Sequence, residues 1–147
     1  MPKFKVKRLT STAQLPHRTH DTDTGWDVFA DKVEQIINIG DKKTPCNILR
    51  VHTGLAIQPT DGFCLEVVPR SSVFRKGLIL ANSPAQIDQD YRGEIILHFY
   101  NPQDSTIEVG EKIAQLIVRW RFDAEWEEVA ELDTTVRGAG GFGSTGK

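Results

Sequence analysis

A chain of 147 residues, 39% hydrophobic and 26% charged, has the size and composition of one globular domain with a real core. A formal net charge of −2 argues against a nucleic-acid or membrane partner, and no stretch approaches membrane-spanning length. The start, MPKFKVKRLTST, has no apolar signal core, and Cys46 and Cys64 match no zinc or redox spacing, so a cytoplasmic protein with reduced thiols is expected.

In chain order, short runs rich in Val, Ile, Leu and aromatics alternate with turn signals. The runs are Phe4–Val6, Trp26–Ala30, Val33–Ile39, Cys46–Ile57, Phe63–Pro69, Leu78–Ala81, Glu94–Tyr100, Thr106–Val109, Lys112–Trp120 and Glu125–Glu131. Between them lie DTG, NIGDKKTP, QPTDG, NSP, NPQDS and VGEK. Many short strands at this spacing predict an all-β sandwich, jelly roll or barrel. Ser71–Lys76 lacks alternation and reads as one short helical turn. Lys112–Val118 is apolar enough for a buried helix, but seven residues between turn signals favour a strand. From Thr134 onward the apolar pattern stops, which predicts a core domain over 1–132 and a flexible glycine-rich arm over 133–147.

Four stretches could carry chemistry. In VVPRSSVFRKG, Arg70 offers a planar cationic fork for phosphate oxygens and Ser71 and Ser72 offer hydroxyls, although a capped turn would use the same residues. In ANSPAQIDQDYRGEI, Asn82, Ser83 and Pro84 supply a turn. Asp88 beside Ile87 is a candidate general base if burial raises its pKa, while Asp90 reads as a solvated acid. In DTDTGWDVFA, Asp27 sits between residues expected to face the core, where it can pair with an Arg or reach metal-bound water. In EKIAQLIV, Gln115 is a lone amide among apolar neighbours and needs partners. The ending RGAGGFGSTGK satisfies most of a Walker phosphate loop, but Lys147 closes the sequence, so neither a magnesium-binding hydroxyl nor a helix follows.

Taken together and in this order, TGWDVFA, PRSS, NSPAQIDQDYRGEI, KIAQL and RGAGGFGSTG resemble the five motifs of the trimeric dUTPase family, over nearly the whole chain. HTGLAIQP followed by GF is similar to the segment that precedes PRSS in that family. The resemblance implies a jelly-roll (β-clip) fold, a homotrimer with active sites at subunit boundaries, and magnesium-dependent hydrolysis of dUTP to dUMP and pyrophosphate. That activity limits uracil incorporation into DNA and supplies dUMP for dTMP synthesis. It further implies that Asp88 binds the 3′-hydroxyl and serves as base, that Tyr91 excludes a ribose 2′-hydroxyl, and that Asn82 with Ala85, Gln86 and Ile87 reads uracil. Arg70, Ser71, Ser72 and Gln115 would hold phosphates, and Asp27 would reach the outer shell of Mg2+, with no direct protein ligand. From the arm, Arg137 would meet the γ-phosphate, Phe142 would cover uracil, and Gly143, Ser144 and Thr145 would donate to phosphate.

The departures are Thr24 where Ala or Gly is usual, Ala85 where Gly is common, and Gln86 at a variable site. A dCTP deaminase shares the Arg-Ser-Ser signature but not the Asp88–Tyr91 pair or the closing arm.

Overall fold

A computed structural model describes residues 1–37 and 47–141. The strands are β1 (Lys5–Arg8), β2 (Gly25–Phe29), β3 (Lys32–Ile37), β4 (Asn47–His52), β5 (Leu55–Gln58), β6 (Phe63–Pro69), β7 (Ile79–Leu80), β8 (Ala85–Ile87), β9 (Ile96–Tyr100) and β10 (Lys112–Trp120). They form two four-stranded antiparallel sheets, in the orders β2-β10-β6-β8 and β3-β4-β9-β7, and a β1-β5 pair. A single 3-10 turn over Val73–Lys76 is the only helical element among the described residues. The all-β expectation and the short turn after PRSS therefore hold.

The core lies where the two large sheets face each other. Val28, Leu65, Val67 and Leu116 come from one, and Leu49, Val51, Leu97 and Phe99 from the other. Residues two apart on a strand share a face, so one face of each sheet is buried by alternation alone. β6 and β10 run side by side from Ala114↔Pro69 to Trp120↔Phe63 and form the centre of the first sheet.

Three runs depart from expectation. Cys46–Ile57 is two strands, because Gly54 takes φ +65° and turns the chain between β4 and β5. Thr106–Val109 pairs with nothing: Ile107 plugs the core, but Val109 leads into a turn at Gly110, φ +86°. Glu125–Glu131 is no strand either, and Trp126 is 96% exposed. The reverse also occurs, since β8 follows directly on the turn residues Asn82, Ser83 and Pro84, a three-residue strand absent from the apolar runs. The far end of the Val33–Ile39 run, Cys46, and the arm residues Phe142, Gly143, Ser144 and Thr145 lie outside the described residues. Cys64 is a free thiol.

Candidate active site

The first sheet carries a polar cluster on its outer face. Asp27 of β2 is opposite Gln115 of β10, which is opposite Val68 of β6, so their side chains share that face. Arg70 leaves the end of β6 nearby. Its Nε lies 3.0 Å from Asp27 Oδ1, and Gln115 Nε2 donates to the same oxygen at 3.1 Å. Lys112 Nζ meets Oδ2 at 3.0 Å. Asp27 is 4% exposed, a buried carboxylate held by two cations and an amide. Burial raises its pKa, but the Lys112 and Gln115 hydrogen bonds and the Arg70 and Lys112 charges outweigh burial and hold it below the usual carboxylate range. Of the two roles expected for Asp27, pairing with an Arg is the one its contacts display.

Lys112 carries no mark in the sequence, and strand alternation would exclude it from the cluster. Residues 112 and 115 differ by an odd number, which puts them on opposite faces of a regular strand. A register shift between Lys112 and Ala114 returns Lys112 to the Gln115 side. Gly25 has a matching reason: a Cβ there would stand 3.0 Å from Gln115 Cβ and Cδ. Only a glycine leaves the amide room to lie across β2 towards Asp27.

Asp27, Arg70 and Gln115 line a cleft of about 490 Å³ that Thr19, His20, Asp23 and Thr24 also line. The segment before β2 is held there by reciprocal backbone hydrogen bonds between His17 and Asp27. Ser71 and Ser72 are exposed beside it. Ser72 occupies the N-cap position of the 3-10 turn without a side-chain capping bond, so its hydroxyl is not committed to the helix end.

The second group is the hairpin over residues 82–94. Asn82 commits its amide to β9, donating to Ile96 O at 3.1 Å and accepting from His98 N at 3.0 Å. It therefore ties this hairpin, whose Ser83–Pro84 peptide is cis, to the second sheet. Ala85, Gln86 and Ile87 form β8 against Val67, Glu66 and Leu65. Asp88 lies just past the strand and is exposed, so the expectation of a buried base beside Ile87 is not met in one protomer: Ile87 points into the core and the next residue points out. Tyr91 folds back over Gly93 and donates from its hydroxyl to Glu94 O at 3.0 Å. A Cβ at Gly93 would collide with the tyrosine ring and hydroxyl, so this glycine sets where the ring lies. Asp88, Gln89, Asp90, Arg92 and Arg121 line an open cleft of about 570 Å³.

Register gives the distance between the two groups. Asp27 is three strands from β8, at about 4.8 Å per step, and Asp88 follows Ile87, whose partner Leu65 is three residues along from Val68 at about 3.3 Å each. The two carboxylates are thus roughly 20 Å apart within one protomer. Arg137 belongs to neither group: it is exposed, and its Nε donates to Gly140 O at 2.8 Å within a turn of the arm.

A metal ion has no ready-made protein cage, since no group of three or more His, Cys, Asp or Glu converges among the described residues. The donors instead suit polyphosphate: cations, hydroxyls and an amide around one cleft.

A model of the dUTPase family matches residues 11–146. The chain belongs to the dUTPase family. It is by class a dUTP diphosphatase, a hydrolase. Among curated relatives, the deoxyuridine 5′-triphosphate nucleotidohydrolase of Leptospira interrogans is 40% identical over 98% of this chain and 99% of its own. That of Nautilia profundicola is 38% identical over 99% of both. Among solved structures, the dUTPase of Staphylococcus bacteriophage 80alpha with dUPNHPP has a TM-score of 0.76, 25% identity and 99% coverage of both chains. A mutant dUTPase from phage phi11 of S. aureus, described as coordinating a structural Mg(II) ion, has a TM-score of 0.69 at 21% identity, covering 90% of this chain and 99% of its own. Within one protomer the described parts of the five motifs fall into two groups and an arm.

Proposed function

We propose that the chain cleaves dUTP between its α- and β-phosphates, giving dUMP and pyrophosphate, in active sites assembled at the boundaries of a homotrimer. The observation that carries this reading is the separation of the two groups. A nucleoside triphosphate cannot bridge roughly 20 Å of sheet surface while lying against both Arg70 and Asp88 of one protomer. Subunits arranged about a three-fold axis can present the hairpin of one against the phosphate cleft of the next. The tail supports the same reading. Phe122, Trp126, Leu132 and Val136 are 85–111% exposed, an apolar series that a single protomer leaves uncovered and a neighbour would bury.

In the proposed site, the backbone groups of Ala85 to Ile87 offer uracil its complementary edge. Asn82 keeps that edge in place from the β9 side. Tyr91, fixed by Gly93 and Glu94, closes the space a 2′-hydroxyl would need. Asp88 accepts a proton from water as the water oxygen bonds to the α-phosphorus. The bond to the bridging oxygen then breaks, and pyrophosphate leaves with that electron pair. General-base assistance of this kind contributes roughly 10²–10⁴-fold.

Arg70, Ser71, Ser72 and Gln115 hold phosphate oxygens. Asp27 presents Arg70 by taking its Nε, which leaves the two Nη groups to the ligand, and Lys112 offsets the charge of Asp27 so that the cleft stays cationic. Asp27 would stand at the outer shell of a Mg2+ ion brought in on phosphate oxygens and water, and that ion would supply charge neutralisation on the polyphosphate. Arg137 and Phe142 anchor the arm over bound nucleotide, and Gly143, Ser144 and Thr145 donate to phosphate, which excludes water. Cytoplasmic dUTP removal, limiting uracil incorporation into DNA and supplying dUMP for dTMP synthesis, is the role this chemistry serves.

Pyrophosphate release from dUTP, dCTP, dTTP and UTP in parallel, with magnesium and then chelator, tests the reading. Selective, magnesium-dependent cleavage of dUTP is expected. Equal cleavage of UTP would remove Tyr91 from its role, and undiminished cleavage with chelator would remove magnesium.

A further inference from the structure

The hairpin that carries Asp88 and Tyr91 is anchored outside the site, on a residue that none of the five motifs contains. His52, at the end of β4, lies between two carboxylates: its Nδ1 is 2.8 Å from Glu94 Oε2 and its Nε2 is 3.3 Å from Glu34 Oε2. Glu94 is where the hairpin rejoins the second sheet. Its other carboxylate oxygen accepts from Gly54 N at 2.8 Å, and its backbone carbonyl accepts the Tyr91 hydroxyl at 3.0 Å. Around these bonds, Thr53 Oγ1 donates to Ile95 O at 2.8 Å and Ile95 N donates to Leu55 O at 2.9 Å. The β4–β5 turn therefore grips residues 94 and 95 at four points, and one of the grips depends on a titratable ring.

We infer that His52 is a positioning residue for the Asp88–Glu94 hairpin, and that its contact with Glu94 holds Tyr91 in the place where it excludes ribose. An imidazolium has two N–H donors and satisfies both carboxylates at once. A neutral ring has one, so on deprotonation one of the two contacts sets a lone pair against a carboxylate oxygen. Other charged groups pack around the same ring. Glu34 on β3 is held below the usual range by hydrogen bonds from Lys32 and His52. His98 on β9, which accepts from Arg50 Nε of β4 at 3.2 Å, is lowered by burial and then by the Arg50 and His52 charges. Arg50 also lies 3.8 Å from Glu34. Within this group of Glu34, Glu94, Lys32, Arg50 and His98, the two ring nitrogens of His52 face two carboxylates, while His98 is engaged as an acceptor by Arg50.

The inference rests on the proposed sugar role of Tyr91, so the experiment reads the hairpin in two ways. In His52→Leu and Glu94→Gln, the preference for dUTP over UTP in kcat/KM should fall on the order of tenfold, the equivalent of one charge-assisted hydrogen bond. The change should appear mainly as a lower KM for UTP. A merely structural loss would depress both substrates alike and leave the ratio intact. Hydrogen exchange of the amides in 88–95, followed by mass spectrometry, should be faster in both variants. Glu94→Gln keeps the test open should His52→Leu fail to fold. Unchanged exchange in 88–95, or a UTP ratio that neither variant moves, overturns the inference. A wild-type enzyme with no preference against UTP would overturn the Tyr91 reading instead, and the exchange data would still decide what His52 holds.

Discussion

Asp27→Asn separates a polar cluster that presents Arg70 from one that only fills the sheet surface. The replacement is isosteric: the new side-chain carbonyl would still accept from Gln115 and Arg70, but the amide N–H₂ would turn against Lys112 Nζ. Two charge-assisted bonds are lost or reduced, each worth about 1.5–3 kcal/mol. Arg70 and Lys112 keep side-chain exposures of 33% and 32%, so water recovers part of that loss and the low end of each range applies. The expected destabilisation is about 3 kcal/mol, or a drop in Tm of about 6–12 °C for a chain of this size. The pH dependence is the sharper readout. The folded-state pKa of Asp27 lies below its ordinary 3.8, so its stabilisation is present above 3.8 and is lost as pH falls through the lower, folded value. Melts of wild type and Asp27→Asn at one protomer concentration should differ fully at neutral pH and converge in acid. A gap of the same size at neutral pH and in acid well below 3.8 would refute the reasoning, as would no gap at neutral pH.

Other outcomes follow from the same geometry. Asp88→Asn should retain a non-hydrolysable dUTP analogue and lose roughly 10²–10⁴-fold in turnover, measured by pyrophosphate release; undiminished turnover would take the base role from Asp88. Gly93→Ala should displace the Tyr91 ring and raise UTP cleavage relative to dUTP, with little effect on folding because the clash is with the far end of a side chain. Lys112→Met should weaken the holding of Asp27 and raise KM for dUTP; an unaltered KM would make Lys112 a surface cation only. Removing 137–147 should leave a folded oligomer by sedimentation with a severely reduced rate.

Alternation of Leu65 and Val67 made β6 legible, and β10 was legible from its short length between turn signals; the observed bounds of both strands match the predicted runs. It failed where one apolar residue served a loop, as at Ile107, and where turn residues covered a short strand, as at β8. Asp27, Arg70 and Gln115 stood out as polar groups among apolar ones, and they do meet. Lys112 did not stand out, since a lysine near a turn looks like solvated surface until a bulge rotates it inward. Nor did Gly25 and Gly93 declare why they are glycines, because the atoms they make room for belong to Gln115 and Tyr91.

The residues by themselves determined the family, the all-β class and the inventory of cations, hydroxyls and carboxylates, because those depend on residue type, order and local period. Tertiary structure alone decided which groups share a face and which are kept apart. Asp27 and Gln115 are 88 positions apart in the chain yet hydrogen-bonded. Asp27 and Asp88, both marked as site residues, stand roughly 20 Å apart across the sheet. Strand order and register are set by how two sheets bury one core between them, and that packing, not the spacing of motifs along the chain, fixes where the chemistry can meet.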